Sequence, residues 1–392
     1  MRKMTLLVLV LALLAIPFAA TAEELRIFTW SEYMDEEKMP ADFEAKFGIK
    51  VRLDIYENNE EMVAKLQAGG VSQYDIIVPS DYIMPVLINQ KLIQPLDHAK
   101  LPNLSNLKPI FLNTTYDPGN KYSVAYQWGT VGLMYRKDKV SEDAVKSWSV
   151  LFDPAKQPGP FWLIDSVREM MGIALLYEGY DFNSTVPQEL KAAADMLVAT
   201  KKTPNCMGFK PGVGGKNDVV AGTAVAAIVY NGDAIQSVTE SPDVLGFTIP
   251  KEGSEIWYDS MCIPAKAPNA DAAHKWIDWV LSARAGADLS NYNQYATPNA
   301  ASLTISASVG CACTVRARSS ALAAKVMAVT ASAIRSPAWG KSAMRRTCRA
   351  TAVLSSMLGD ADPEARAMAA HTRSSDTWVV PTMYLWENRG RS

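Results

Sequence analysis

From Leu25 onward, short apolar runs alternate with stretches of helical periodicity. Leu25, Ile27, Phe28 and Trp30 alternate with Arg26 and Thr29 well enough to predict a strand over 25–30. Phe43, Ala45 and Phe47, after Pro40, predict a short helix ended by Gly48. Val51, Leu53 and Ile55 alternate with Arg52 and Asp54 as a second strand, and 60–67 reads as a helix stopped by Gly69 and Gly70. Residues 74–79 form an apolar strand that runs out into Ser80, Asp81 and Tyr82. Strands follow over 131–135 and 161–164, the second entering Asp165, Ser166, Val167, Arg168, Glu169 and a helix through Leu176. The apolar run 224–230 predicts a strand that ends at Asn231, Gly232 and Asp233. Phe247 to Pro250 and then Lys251, Glu252 and Gly253 lead into a strand through Trp257, Tyr258, Asp259 and Ser260. Residues 272–281 carry Trp276, Trp279 and Val280 on one face of an amphipathic helix.

Strands alternating with helices predict an α/β fold with a largely parallel, doubly wound sheet. In such sheets ligands sit beyond the carboxyl ends of the strands. Trp30 to Tyr33, Ser80 to Tyr82 and Asn231 to Asp233 all fall there. Two such units facing each other, with polar and aromatic groups on both, describe a cleft between lobes.

The N-terminus follows another pattern. Arg2 and Lys3 precede an almost unbroken apolar stretch over 4–18, then Ala20-Thr21-Ala22 and two glutamates. This is the pattern of a secretory signal peptide over 1–22, cleaved near Ala22, so the mature chain is expected to be exported and soluble. No cysteine lies near the cleavage point, which argues against a lipoprotein anchor. With 48% apolar and 20% charged residues in 392, the chain is neither disordered, collagenous nor a coiled coil. A lone, short apolar run excludes a multi-pass membrane protein.

Charge divides the chain near residue 301. Residues 23–300 carry 25 basic and 36 acidic side chains, a net −11, whereas residues 301–392 carry 12 basic and 5 acidic ones, a net +7. The last 92 residues also hold 19 Ala and 13 Ser, without a helical or strand period. They are expected to be a poorly ordered, basic Ala/Ser/Arg-rich tail. A basic arm for an acidic partner, an extra domain and a shift of reading frame all produce such a tail. The abruptness of the break favours the shift.

Catalytic chemistry has few footholds. His98 and His274 are the histidines before residue 301, and neither sits in a catalytic pattern, so both are expected to be solvated surface residues. Cys206, Cys262, Cys311, Cys313 and Cys348 are odd in number and irregular in spacing, fitting neither a disulfide framework nor a zinc site. No nucleotide or metalloenzyme motif appears, and no cofactor or metal is expected. Gly212-Val213-Gly214-Gly215 lacks the Lys-Ser/Thr of a phosphate loop and reads as a flexible turn.

The strand-end residues carry more. Trp30 with Glu32 and Tyr33, Tyr230 with Asp233, and Trp257 with Asp259 pair aromatics with carboxylates; Glu169 and Tyr295 are candidates to join them. Aromatic faces attract cations and cover methylene groups, and carboxylates accept charge-assisted hydrogen bonds from ammonium groups. A ligand with a flat apolar chain and ammonium ends would satisfy this set. The net −11 of residues 23–300 favours the approach of such a cation.

Seven ordered segments carry a resemblance: Phe28-Thr29-Trp30-Ser31-Glu32-Tyr33, Tyr74-Asp75-Ile76-Ile77-Val78-Pro79-Ser80, Gln94-Pro95-Leu96-Asp97, Tyr126-Gln127-Trp128-Gly129-Thr130, Tyr230-Asn231-Gly232-Asp233, Trp257-Tyr258-Asp259-Ser260 and Tyr295-Ala296-Thr297-Pro298-Asn299. From about Leu25 to Asn299 the chain resembles the periplasmic spermidine/putrescine-binding proteins of ABC-type polyamine transporters. The resemblance implies a two-lobed periplasmic-binding-protein fold of type II that closes on its ligand. Residues 23–129 and 262–300 would form one lobe, and 130–261 the other. It implies a periplasmic location, binding rather than catalysis, a monomer, a membrane permease as partner, and no nucleic acid. Trp30, Tyr33, Trp257 and Tyr295 would pack on the methylene chain. Glu32, Glu169, Asp233 and Asp259 would meet amino groups, and Ser31, Ser80 and Tyr82 would add polar or rim contacts.

Three departures stand out. Ser166 replaces the aspartate of spermidine-preferring members, and Tyr230 replaces a usual tryptophan, while Asp233 matches the putrescine type. The set leans to putrescine, with agmatine or cadaverine also fitting. From Ala300 the family's closing helices are not recognisable. Other readings are a receptor for thiamine, iron or an anion, an exported small-molecule enzyme, and a nucleic-acid-binding tail. Arg168 is the one arginine near a candidate position, and paired tyrosine-histidine iron ligands are not evident.

Overall fold

The computed structural model describes residues 23–308. The expected signal peptide and residues 309–392 of the tail lie outside the described residues. In chain order the main elements are β1 (Glu24–Trp30), α1 (Lys38–Phe47), β2 (Lys50–Tyr56), α2 (Asn59–Gln67), β3 (Ile76–Ile77), α3 (Met84–Asn89) and β4 (Ser123–Arg136). Then come α4 (Ser149–Phe152), β5 (Phe161–Ile164), α5 (Val167–Tyr177), α6 (Pro187–Lys201), β6 (Cys206–Lys210), α7 (Gly214–Ala221), β7 (Ala226–Tyr230) and α8 (Asn231–Glu240). β8 (Leu245–Thr248), β9 (Ile256–Cys262), α9 (Ala270–Val280), α10 (Ala283–Asn293) and α11 (Ala300–Ser308) complete the described chain.

Local chemistry sets several boundaries. Gly48 ends α1 in the left-handed region at φ 70°, where a glycine carries no Cβ penalty. Asn58 caps α2 by accepting a 2.8 Å hydrogen bond from the Glu61 N–H. The apolar face of α9 buries Trp276 and Trp279 against Phe43 of α1, with ring centroids 5.0 and 5.5 Å away.

The strands run in the order β2-β1-β3-β9-β4-β7-β5-β6, with β8 also paired to β4. The sheet is mixed rather than largely parallel. β1 with β2 and β3, and β5 with β6 and β7, are parallel; every pairing of β4, and that of β3 with β9, is antiparallel. Fourteen residues long, β4 pairs with β9 along Ser123 to Thr130 and with β7 and β8 beyond it. It is the strand shared by two half-sheets. Because β9 pairs with β3 and with the first part of β4, the chain has returned to the first half-sheet by Ile256, earlier than residue 262.

Other expectations are also corrected. α11 carries regular structure eight residues into the tail expected to lack order. His274 is buried, not solvated: its Nε2 accepts from the Asp97 N–H at 2.9 Å, and Nδ1 donates to the Ala270 carbonyl at 2.7 Å. It fastens α9 to the loop before it in space. Of the glycine-rich segment before Lys216, Gly212 and Val213 form a turn as expected, while Gly214 and Gly215 already belong to α7.

Candidate functional site

The place where β4 changes partners is the centre of the cleft. Thr130 lies opposite Ile256 of β9, and the next residue, Val131, opposite Tyr230 of β7. At this switch the Thr130 N–H donates to Oδ1 of Asn231 at 2.8 Å, a side chain standing in for a ladder carbonyl. β1, β5 and β7 end around the same point, with Trp30, Ile164 and Tyr230 as their last residues. Two bridges bring in the rest: Ser80 pairs with Asp259, and Ala296 with Trp128, which places Tyr295 beside Trp257. Gly232 makes the last approach possible, since a Cβ there would stand 2.6 Å from the Tyr295 ring.

Aromatic rings form one wall. Tyr230 meets Trp257 edge-on at 5.7 Å, Trp257 meets Tyr295 at 5.3 Å, and Tyr295 meets Tyr33 at 5.4 Å. Trp30 is held by its indole N–H, which donates to the Val78 carbonyl at 2.8 Å. The cavity they border has about 590 Å³ of empty space, counting its open mouth.

Carboxyls form two groups around it. Asp259, Glu169, Asp81 and Glu255 make up the first and feel one another's charge. Asp259 is buried; its Oδ2 accepts from the Tyr33 hydroxyl at 2.7 Å, while Oδ1 has no partner among the described residues. Desolvation by burial pushes Asp259 up to about 7, with Asp81 and Glu169 adding repulsion. Asp81 is also pushed up to about 7 by desolvation, which the nearby Arg168 partly offsets. Glu169, in the first turn of α5, accepts from Tyr230 at 3.1 Å and from Ser166, yet burial still raises it. Burial and the neighbouring carboxylates push Glu255 well above the usual range. Its cation is Arg168, at 3.6 Å. Asp81, Glu169 and Glu255 thus share one guanidinium.

The second group is Asp233, in the first turn of α8, and Glu32, beyond β1. Burial pushes Asp233 up to about 6; the Lys216 charge and a hydrogen bond from Tyr295 pull it down. Lys216 of α7 ion-pairs with Glu32 at 2.6 Å across the cleft.

Of the residues expected at a site, Trp30, Ser31, Tyr33, Ser80, Glu169, Tyr230, Asp233, Trp257, Asp259 and Tyr295 line one cavity. Two do not. Glu32 is half-exposed and engaged by Lys216. Tyr82 stands at the rim, donating to Glu60 at 3.2 Å under the Arg168 guanidinium, which lies 5.8 Å from its ring. Sequence reasoning missed Glu57, Ile164, Asp165, Gly212 and Val213, which complete the lining. Asp165 and Ile164 carried a usable signal, since they end a predicted strand. Glu57 and Gly212 carried none, because they meet only across the cleft; a Cβ on Gly212 would fall 2.1 Å from Glu57 Oε2. Among the described residues no group of three or more His, Cys, Asp or Glu is placed to hold a metal ion, and no helix is long and apolar enough to cross a membrane.

Residues 38–309 match the family model of bacterial extracellular solute-binding proteins. The chain belongs to this family. It is 35% identical over 277 residues to the spermidine/putrescine-binding periplasmic protein of Escherichia coli, covering 71% of this chain and 78% of that relative. It is 34% identical over 310 residues to the putrescine-binding periplasmic protein PotF of Escherichia coli, covering 74% and 82%. The solved spermidine/putrescine ABC transporter substrate-binding protein PotD of Streptococcus pneumoniae is 32% identical, with a TM-score of 0.58 over 71% of this chain and 83% of that one. The resemblance read from the sequence and the α/β periplasmic-binding-protein fold are both borne out. In this solute-binding protein the family match extends to residue 309, through α11 and past the Asn299 limit read from the sequence.

Proposed function

We propose that this solute-binding protein captures a linear polyamine in the periplasm and delivers it to the permease of an ABC transporter. The observation that carries this is the set of buried carboxyls beside an aromatic wall with too few cations of their own. Among the described residues Glu169, Asp81 and Glu255 draw on Arg168, whereas Asp259 has only the Tyr33 and Ser80 hydroxyls, and its Oδ1 makes no hydrogen bond. Burying uncompensated carboxylates is costly, and a cationic ligand removes the cost. The Trp257, Tyr230 and Tyr295 rings offer a surface for methylene groups and for the cation itself.

The carboxyl set and Ser166, whose hydroxyl donates to Glu169, support a diamine of the putrescine type. The site residues act as ligand contacts: the aromatics on the chain, Asp259 and Glu169 on one ammonium. The two lobes, sharing β4, close over it, and differential affinity for the closed state drives closure. The role is binding rather than catalysis, and the protein acts as an exported monomer after cleavage near Ala22.

Thermal unfolding of the full-length chain with putrescine, spermidine or spermine tests this. Ligand at a hundred times its dissociation constant adds about 2.7 kcal/mol of stability. A raised midpoint with an amine and none with acetate or sulfate is expected. A cooperative transition unmoved by every amine would refute the reading.

A further inference from the structure

Lys216 is an unusual residue for a cation-binding cleft. It sits on α7 of the second half-sheet with its side chain 9% exposed, and its Nζ stands 2.6 Å from Glu32 Oε2 of the first. Glu32 adopts a left-handed φ of 51°, a sparsely populated region for a residue with a Cβ. Its carboxylate lies outside the cavity lining, on this ammonium. The Lys216 charge also acts on buried Asp233, holding it toward its ionised form. Gly212 and Val213, just ahead of α7, line the cavity, so Lys216 belongs to the segment that closes it. Two carboxyls of the type that would meet a ligand ammonium are therefore served by an ammonium the chain carries itself. The Asp259 and Glu169 side has no lysine among the described residues that pair with it.

We propose that Lys216 is a resident amine that fills the ammonium position between Glu32 and Asp233, and so sets ligand length: a diamine fits the remaining Asp259–Glu169 side, whereas a triamine must displace Lys216. This rests on the polyamine reading above. Displacement is unfavourable because it strips a buried ammonium of its partners, or else pulls α7 away from the opposite lobe.

Competitive calorimetry with putrescine and spermidine, on the full-length wild-type chain and on Lys216→Met, Lys216→Gln and Lys216→Arg, tests the proposal. Wild type is expected to prefer putrescine by tenfold or more. Lys216→Met and Lys216→Gln should shift the putrescine-to-spermidine ratio at least tenfold toward spermidine, and Lys216→Arg should keep the wild-type ratio. Lys216→Gln retains a hydrogen-bonding head for Glu32. Spermidine binding that appears only in Lys216→Met or Lys216→Gln would also support the proposal. A general electrostatic role would strengthen both amines alike; an unchanged ratio, or a wild type preferring spermidine, overturns the proposal and leaves the polyamine reading standing. No amine bound by any variant overturns both. If neither neutral variant folds, reductive methylation of the wild type decides. Lys216 should stay protected with putrescine and become modified under saturating spermidine, and equal protection overturns the proposal.

Discussion

The Tyr33 hydroxyl donates a 2.7 Å hydrogen bond to Oδ2 of Asp259, a residue 226 positions away, and both side chains are buried. It joins the turn after β1 to the strand β9 at the floor of the cleft. It is also one of the few interactions holding Asp259 toward its ionised form. In Tyr33→Phe the Asp259 carboxylate loses the donor on Oδ2 and keeps only the support of the nearby Ser80 hydroxyl. The variant is expected to lose about 1–3 kcal/mol of stability, as for other buried acceptors left unpaired. Its amine affinity should fall most near neutral pH and recover in part at alkaline pH. Denaturant unfolding and calorimetry at two pH values check both parts.

Asp259→Asn should separate function from stability. The neutral amide removes a desolvated charge repelled by Asp81 and Glu169, so the ligand-free fold gains roughly 1–4 kcal/mol at pH 8. Amine affinity falls by roughly 30-fold or more, the scale of truncating a buried hydrogen-bonded charge pair. A variant less stable than wild type, or one with undiminished affinity, would contradict this.

Binding should depend on pH in a defined direction. Asp259 and Asp81 titrate at about 7 and Asp233 at about 6 in the folded protein. In the unfolded chain each titrates near its ordinary value of about 4. Between those limits the folded state holds protons that the unfolded chain has released. These groups therefore weaken the ligand-free fold as pH rises from about 4 through about 7, and relieve it as pH falls. A cationic ligand favours the ionised forms, so its affinity should rise over the upper part of that window, with protons released on binding. Calorimetry in buffers of different ionisation enthalpy reads the release directly; a pH-independent affinity with no proton release is the contrary result.

Which parts of this site could be read from sequence follows from where each residue sits. Trp30, Tyr33, Tyr230, Asp233, Trp257 and Asp259 lie within a few positions of strand ends, so a local pattern finds them. The first part of β4 was legible only as a motif around Trp128. Every position of β4 but Arg136 is buried, which abolishes the alternation that marks a half-exposed strand. That central strand, antiparallel to three partners, is what makes the sheet mixed. Lys216 and Glu57 were invisible for a different reason. Each lies in an ordinary polar stretch, and each becomes part of the cleft only when the half-sheets meet, through Glu32 in one case and Gly212 in the other. His274 misled because a histidine on an amphipathic helix carries no local sign of its buried partner at Asp97.

Gly232→Ala tests the packing of the aromatic wall. The added Cβ would stand 2.6 Å from the Tyr295 ring, and that ring cannot retreat without disturbing Trp257 and Tyr33. Overpacking of this kind costs about 1–3 kcal/mol. A lowered unfolding midpoint and weaker amine binding are expected, and an unchanged midpoint with unchanged binding would show that the wall is slack.

The most direct test of the cleft as a polyamine site is a calorimetric titration of the full-length chain with putrescine at pH 8, with Asp259→Asn alongside. Saturable binding of one putrescine per chain is expected, accompanied by a clear loss of affinity in the variant. A folded wild type that takes up no putrescine, or one whose binding is indifferent to Asp259, would contradict it.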